Sequence, residues 1–219
     1  MINLSTILTS ESFDLIVLNR PGLGFLYQNL YTNAKKKIMT DGAVVKVRTE
    51  LGIDFKAYLP THIIGDFDSF QPEEEFSSIP MLRIDDQDST DFEKALDLTT
   101  EPFVVVLSDF SGRLDHTLGA FGAIMKDRYE GKVILMYNSQ NVGLVVKDFM
   151  RISADLWKYC GIFPMAGKTL ISTTGFRWNL EKCETYFGGL VSYCNELIGE
   201  GTVEVDKPVL LVFSNDNKS

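Results

Sequence analysis

The stretch Ile63-Ile64-Gly65-Asp66-Phe67-Asp68-Ser69 places two carboxylates one residue apart behind an apolar run and a glycine. Side chains alternate along extended backbone, so a strand ending in Asp-x-Asp points both carboxylates the same way. At about 4 Å and an effective dielectric of about 20, the pair repels by about 4 kcal/mol. A divalent cation offsets such repulsion, and ions of the magnesium class take oxygen ligands while keeping places for water and phosphate. The same residues also suit a solvated turn with an Asx-type cap. Taken alone, the stretch fits both readings.

Three further groups resemble it in placement. Asp41 follows the short apolar pair Ile38-Met39. The run Asp85-Asp86-Gln87-Asp88-Ser89-Thr90-Asp91 follows Met81-Leu82-Arg83-Ile84. The run Ser108-Asp109-Phe110-Ser111-Gly112-Arg113-Leu114-Asp115-His116 follows the β-branched run Phe103–Leu107. Thr90 and Glu93 have capping-box spacing, so the acidic run is expected in a strand-to-helix turn. All four groups fall where strands end.

The elements that must carry these groups are legible as an order. Phe13–Asn19 reads as a buried strand closed by Arg20-Pro21-Gly22. Residues 24–37 read as a helix, with Lys35-Lys36-Lys37 at its solvated end, where cations suit the dipole. A second helix is expected over 44–51, others after Thr90 and through Ala120, Ile124 and Met125, and a strand over 132–137. Strand and helix thus alternate to about Asn138, which predicts an α/β unit with a mostly parallel sheet. In such sheets ligands bind beyond the carboxyl ends of the strands.

Beyond Asn138 the rhythm changes. Short strand-like runs at 142–152, 168–173, 189–194, 202–205 and 209–213 are separated by Gly, Asn and Pro. They predict a smaller all-β, antiparallel, sandwich-like domain. The division expected is 1–138 and 139–219.

Composition narrows the function. With 45% hydrophobic and 23% charged residues the chain reads as globular, and a net charge of -9 disfavours nucleic acid. Three widely spaced cysteines suit reduced thiols in the cytoplasm better than a disulfide framework. Residues 1–10 carry no Lys or Arg, so no secretory leader is expected, and no apolar run is long enough for a membrane span. Two motifs mislead. Gly161–Thr169 looks like a P-loop but has one residue too many, a proline, and no helix behind it. Gly22-Leu23-Gly24 hints at a dinucleotide loop, but the third glycine position is Tyr27.

Taken together, the motifs resemble the thiamine pyrophosphokinase family in its eukaryote-like form. The resemblance rests on Gly65–Ser69, Asp86–Asp91, Ser111–His116, Thr173–Leu180 and Phe187–Ser192, in that order. It implies an N-terminal α/β domain, a β-sandwich-like C-terminal domain, and a homodimer with active sites across the subunit interface. It also implies ATP as co-substrate and Mg2+ as cofactor, with pyrophosphoryl transfer to thiamine giving thiamine diphosphate and AMP.

On that resemblance Asp66 and Asp68, with Asp41, Asp88 and Asp91, would hold one or two Mg2+ against the phosphates. Asp91 or Asp68 would orient or deprotonate the thiamine hydroxyl. Arg113 would contact phosphate, with Asp115 and His116 shaping its turn. Ser89 and Thr90 belong to the same ligand-binding loop, and Gln87 would read the pyrimidine or stay structural. Trp178 and Ser192 would reach thiamine bound largely by the other subunit, the indole face suiting a flat, cationic ligand. Asn195 would add a polar contact, and Trp157 is expected in the core.

Two departures stand out. The family's Ala-Asp-Gly-Gly-Ala-Asn-Arg is here Thr40-Asp41-Gly42-Ala43-Val44-Val45-Lys46, and Cys194 stands where a second serine is common. The alternatives kept open are a pyrophosphokinase for another small alcohol and a catalytically weak nucleotide- or thiamine-binding protein.

Overall fold

The computed structural model describes residues 2–9, 12–68, 70, 74–84, 86, 88–108, 113–138, 140–153 and 157–214. The chain opens with β1 (Ile2–Asn3) and α1 (Leu4–Thr9), followed by β2 (Phe13–Val17), α2 (Gly24–Leu30), β3 (Ala34–Thr40) and α3 (Asp41–Leu51). Next come β4 (His62–Gly65), β5 (Met81–Arg83), α4 (Asp91–Asp97), β6 (Phe103–Leu107), α5 (Leu114–Ile124) and β7 (Val133–Tyr137). Only strands follow among the described residues: β8 (Asn141–Val146), β9 (Phe149–Ser153), β10 (Tyr159–Pro164), β11 (Thr169–Phe176), β12 (Cys183–Thr185), β13 (Ser192–Val205) and β14 (Val209–Ser214).

The α/β half is a parallel sheet in the order β5-β4-β3-β2-β6-β7. Its central strands are buried on both faces, as continuous apolar runs should be. Ile16, Val104 and Val106 point into one cluster with Phe92, Ala95 and Phe121 of α4 and α5. Leu15, Val17 and Val105 point into another with Leu23 just before α2, Tyr27 of α2, and Val44 and Val47 of α3. The expected helices on both faces are therefore present.

The sheet does not stop at residue 138. β7 pairs antiparallel with β8, and the ladder continues through β14 and β10 to β13. β13 is 14 residues long and serves two sheets. Its first residues pair with β10, while Gly201–Val205 pair with β9 and β11. A strand that turns a corner in this way closes an antiparallel sandwich. At that corner Gly175 has φ 78°, and a Cβ there would sit 2.0 Å from the Glu200 carbonyl oxygen. No other residue fits so close an approach of two backbones.

Several expectations are corrected. The helix over 24–37 ends at Leu30, and Lys35–Lys37 lie in β3. Each lysine finds its own support there: Lys35 pairs with Glu101, Lys36 Nζ donates to the Leu98 carbonyl, and Lys37 lies 4.6 Å from the Tyr31 ring centroid. The run reads as helical because three adjacent long side chains hide the strand's alternation. α3 begins at Asp41 rather than 44, and α1, which buries Leu4, Ile7 and Leu8, was not expected. The 142–152 run is two strands, while 189–194 and 202–205 contribute to one.

Thr90 and Glu93 do form the capping box at α4. Glu93 is buried and also receives Lys126 and Arg128. Burial works to raise its carboxyl, but the hydrogen bonds from Lys126 and the Thr90 amide, with both cations, hold it below its ordinary value of 4.5. A depressed folded-state value gives stability above the unfolded value that is lost as pH falls through the folded one. Glu93→Gln should therefore cost about 1–2 kcal/mol in urea unfolding at pH 7. The gap to wild type should narrow as pH drops below 4.5.

Candidate active site at the carboxyl edge

Three carboxylates converge where β3 and β4, neighbouring strands, both end. Asp41, Asp66 and Asp68 offer oxygens that all lie within 4.8 Å of one another. Asp41 is the first residue of α3 and is buried, so the helix's amide dipole lies against its charge. Its Oδ1 accepts the Gly42 amide at 2.6 Å.

Asp66 and Asp68 reach the group by a different route from the one expected. The strand stops at Gly65, and Phe67 has φ 61°, so the backbone is not extended. The Asp68 amide donates to Asp66 Oδ1 at 3.1 Å. The Asx turn and the carboxylate cluster are thus both present, and the turn builds the cluster.

Two glycines make room for it. A Cβ on Gly65 would sit 2.7 Å from Asp41 Cγ, and one on Gly42 would sit 2.1 Å from Asn19 Nδ2. The bare Gly65 backbone is the cradle of the Asp41 carboxyl. A set of three hard oxygen donors, one buried, one half-buried and one exposed, fits an ion of the magnesium class with places left for other oxygens.

The next strand end supplies a wall of this edge. Asp86 accepts the Asp88 amide at 2.9 Å and the Ser89 hydroxyl at 2.6 Å. The Ser89 hydroxyl, then the Asp88 amide, hold the Asp86 carboxyl below its ordinary range. Asp91 pairs with Lys94 at 3.2 Å. Asp88 and Asp91 do not join the close trio, unlike the five-aspartate set expected from sequence. The Thr90 hydroxyl caps α4, and Gln87 lies outside the described residues.

Beyond β6, Arg113 stands exposed at the N-terminus of α5 and forms a forked pair with Asp115, Nε to Oδ1 at 2.9 Å. That bond holds the Asp115 carboxyl well below its usual range and raises Arg113 further. His116 is exposed, its backbone amide bonded to the Arg113 carbonyl.

In the sandwich, Trp178 is exposed between β11 and β12, with Arg177 4.9 Å from its ring centroid. Asn195 is buried. Its Oδ1 accepts the Trp178 amide at 3.2 Å, and its Nδ2 donates to the Trp178 carbonyl at 2.8 Å and to Ser192 Oγ at 3.3 Å. Asn195 joins Trp178 to Ser192, a task not foreseen for it. Trp157 is in the core, as expected.

The misleading motifs resolve simply. Glu50 accepts both the Gly22 and Gly24 amides at 2.6 Å, so the chain's own carboxylate fills that loop. Gly161 lies in β10, and Lys168 pairs with Glu184. A cavity of about 450 Å³ lies elsewhere, between Tyr129–Val133 and Lys147–Arg151, away from the carboxylates. Sequence reasoning missed Asn19, Glu50 and Lys94, and named Asp86 in its acidic run without a role of its own. Only Lys94 carried a signal, as a charge among the apolar positions Phe92, Ala95 and Leu96.

A parallel sheet bearing clustered carboxylates and an arginine at its carboxyl edge has the build of a phosphate-transfer enzyme. Comparison with known proteins agrees. The chain belongs to the thiamin pyrophosphokinase family: that family's catalytic domain matches residues 27–136, and its vitamin B1 binding domain matches residues 150–210. Thiamin pyrophosphokinase 1 of Caenorhabditis elegans is 29% identical over 186 residues, covering 78% of this chain and 74% of that protein. Thiamine pyrophosphokinase 1 of Oryza sativa subsp. japonica is 27% identical over 234 residues, covering 94% and 87%. The fold matches thiamin pyrophosphokinase from Candida albicans with a TM-score of 0.83 at 18% identity, over 98% of this chain and 92% of that one.

Gly65→Ala should drive the Asp41 carboxyl out of its cradle and cost about 1–3 kcal/mol by denaturant unfolding. Asp41→Ala removes the Cγ that clashes, so the double variant should recover at least about 0.5 kcal/mol of that loss. Strict additivity would show that the two residues do not press on each other.

Proposed function

We propose that the chain transfers a pyrophosphoryl group from ATP to the hydroxyethyl oxygen of thiamine, giving thiamine diphosphate and AMP. The observation that carries this is the Asp41–Asp66–Asp68 trio at the carboxyl edge, in a chain that matches both domains of the family. Asp41, Asp66 and Asp68 would hold Mg2+, which when bound neutralises phosphate charge. Asp88 and Asp91, next to the trio in the strand order, complete an acidic rim where Asp91 or Asp68 orients the acceptor hydroxyl.

The guanidinium of Arg113, set in a fixed fork by Asp115 and with His116 in the same turn, receives phosphate oxygens. Ser89 and Thr90 belong to the segment that follows β5 at the same edge, and Gln87, by the family resemblance, would read the pyrimidine of thiamine. The chemistry asked of these residues is positioning and charge neutralisation, with no covalent intermediate. Of the sequence departures, Ala43 and Val44 are buried in α3 and Val45 is exposed on it, while Asp41 keeps its place.

The division into a catalytic unit, 1–138, and an acceptor-binding unit, 139–219, is part of this reading. So is a homodimer: Trp178, Phe187, Leu190 and Tyr193 are exposed apolar side chains that a second copy would cover. Trp178 and Ser192 would then serve thiamine held largely by the partner, with Asn195 behind them. A cytoplasmic setting is supported by three unpaired cysteines. No helix among the described residues is long and apolar enough to cross a membrane.

The protein incubated with ATP, Mg2+ and thiamine should release AMP and thiamine diphosphate in equal amounts; ADP in place of AMP would overturn the transfer step. Metal-held charge supplies several kcal/mol to such transition states. Asp66→Asn and Asp68→Asn should therefore each lower kcat on the order of 100-fold or more with the melting temperature little changed.

Analytical ultracentrifugation should give twice the mass of the chain, and Leu190→Asp or Tyr193→Lys should shift it to the single-chain mass. A wild-type monomer at every concentration would remove the dimer from this reading.

A further inference from the structure

Lys94 is the one lysine of α4, and its side chain is only 7% exposed. A lysine is rarely so buried without partners. Its stem shares the interior with Phe92, Ala95 and Leu96, which pack under β3 and β4. Its ammonium emerges at the end of β5 and makes two bonds there. One is to the Ile84 carbonyl at 2.9 Å, the other to Asp91 Oδ1 at 3.2 Å.

Those two partners bracket the acidic segment, Ile84 on one side and Asp91 on the other. Ile84 is also tied the other way, its amide donating to the Gly65 carbonyl at 3.3 Å. Gly65 in turn cradles the Asp41 carboxyl. A short path of contacts therefore runs from the Lys94 ammonium through Ile84 and Gly65 to the carboxylate trio.

We propose that Lys94 is a positioning residue that fixes Asp91 and the carboxyl end of β5 relative to the Asp41–Asp66–Asp68 trio. An apolar side chain of the same length would fill the stem's space, but it would leave the Ile84 carbonyl without its donor and Asp91 without its cation. The cation also stands against the crowding of Asp86, Asp88 and Asp91 along one short segment, where like charges favour spreading apart. Arginine carries the same charge and more donors, so it can restore both bonds where methionine cannot.

The kinetic consequence rests on the pyrophosphokinase reading; the structural one does not, and the experiment separates them. Amide hydrogen exchange on the protein without metal or nucleotide should show Ile84 losing at least about tenfold of its protection in Lys94→Met, with Val105 in β6 unchanged. Lys94→Arg should restore most of it.

In the turnover assay Lys94→Met should lower kcat/KM for ATP by about tenfold or more, mainly through KM, and Lys94→Arg should recover it. Unchanged Ile84 protection, or an equal loss at Val105, would falsify the local role. A loosened Ile84 with kcat/KM within about twofold of wild type would overturn its bearing on the reaction. Absence of any turnover in wild type would end the pyrophosphokinase reading while the exchange result still decides on Lys94.

Discussion

Three like charges are held within 4.8 Å of one another, and much of the molecule can be understood as the means of holding them. Any two of them repel by several kcal/mol at the dielectric of a protein surface. A flexible loop would relieve that by moving apart. Here Asp41 is locked into the first turn of α3, directly continuous with β3. Asp66 and Asp68 are locked by a turn in which one carboxylate accepts the other's amide. β3 and β4 are paired along the same sheet, so their ends cannot separate without breaking ladder bonds. The N-terminal dipole of α3 offsets part of the cost for Asp41.

The same economy of matched charge appears behind the sheet. Asp14 is wholly buried in β2, and its two oxygens accept the amides of Lys36, Thr100 and Glu101. One carboxylate thus ties β2 to β3 and to the connection that enters β6. Removing that acceptor would leave part-buried amides without a partner, at about 1–3 kcal/mol each. Glu93 does similar work between α4 and the segment after α5. The strands that present the site are pinned at the far end of the sheet by one buried acid and braced from below by another.

Much of this was legible in sequence, and the exceptions have physical causes. The β-branched run at 103–107 and the spacing of Thr90 and Glu93 gave strand and cap directly, because both signals are local. The placement of four polar groups at strand ends gave the working edge. Lys35–Lys37 misled because a strand's period needs alternating types to be seen, and three lysines have none. The Asp66–Asp68 geometry was right in outcome and wrong in route: proximity came from a left-handed Phe67 and an Asx turn, which residue types alone do not reveal. Asp88 and Asp91 were grouped with the trio on the family resemblance. The structure pairs Asp91 with Lys94, a contact that depends on how deeply α4 is set.

The sandwich was legible as strands but not as a continuation of the parallel sheet. β7 and β8 pair as a tight hairpin closed by Asn138, whose Oδ1 accepts the Gln140 and Asn141 amides, so the residue that reads as a domain boundary is a turn within one sheet. The sandwich also carries Trp178. The indole is open to solvent, yet its backbone is clamped on both sides by the buried Asn195 amide, which also reaches Ser192. A fixed backbone at residue 178 lowers the ordering cost when something stacks on the indole. Asn195 itself sits on β13, the strand shared by both sheets, so the clamp is anchored in the ladders of the sandwich. The carboxylates gathered at the edge of the parallel sheet are thus matched by an aromatic face carried on a fixed backbone in the sandwich. The first rests on a helix start and an Asx turn, the second on one buried amide side chain.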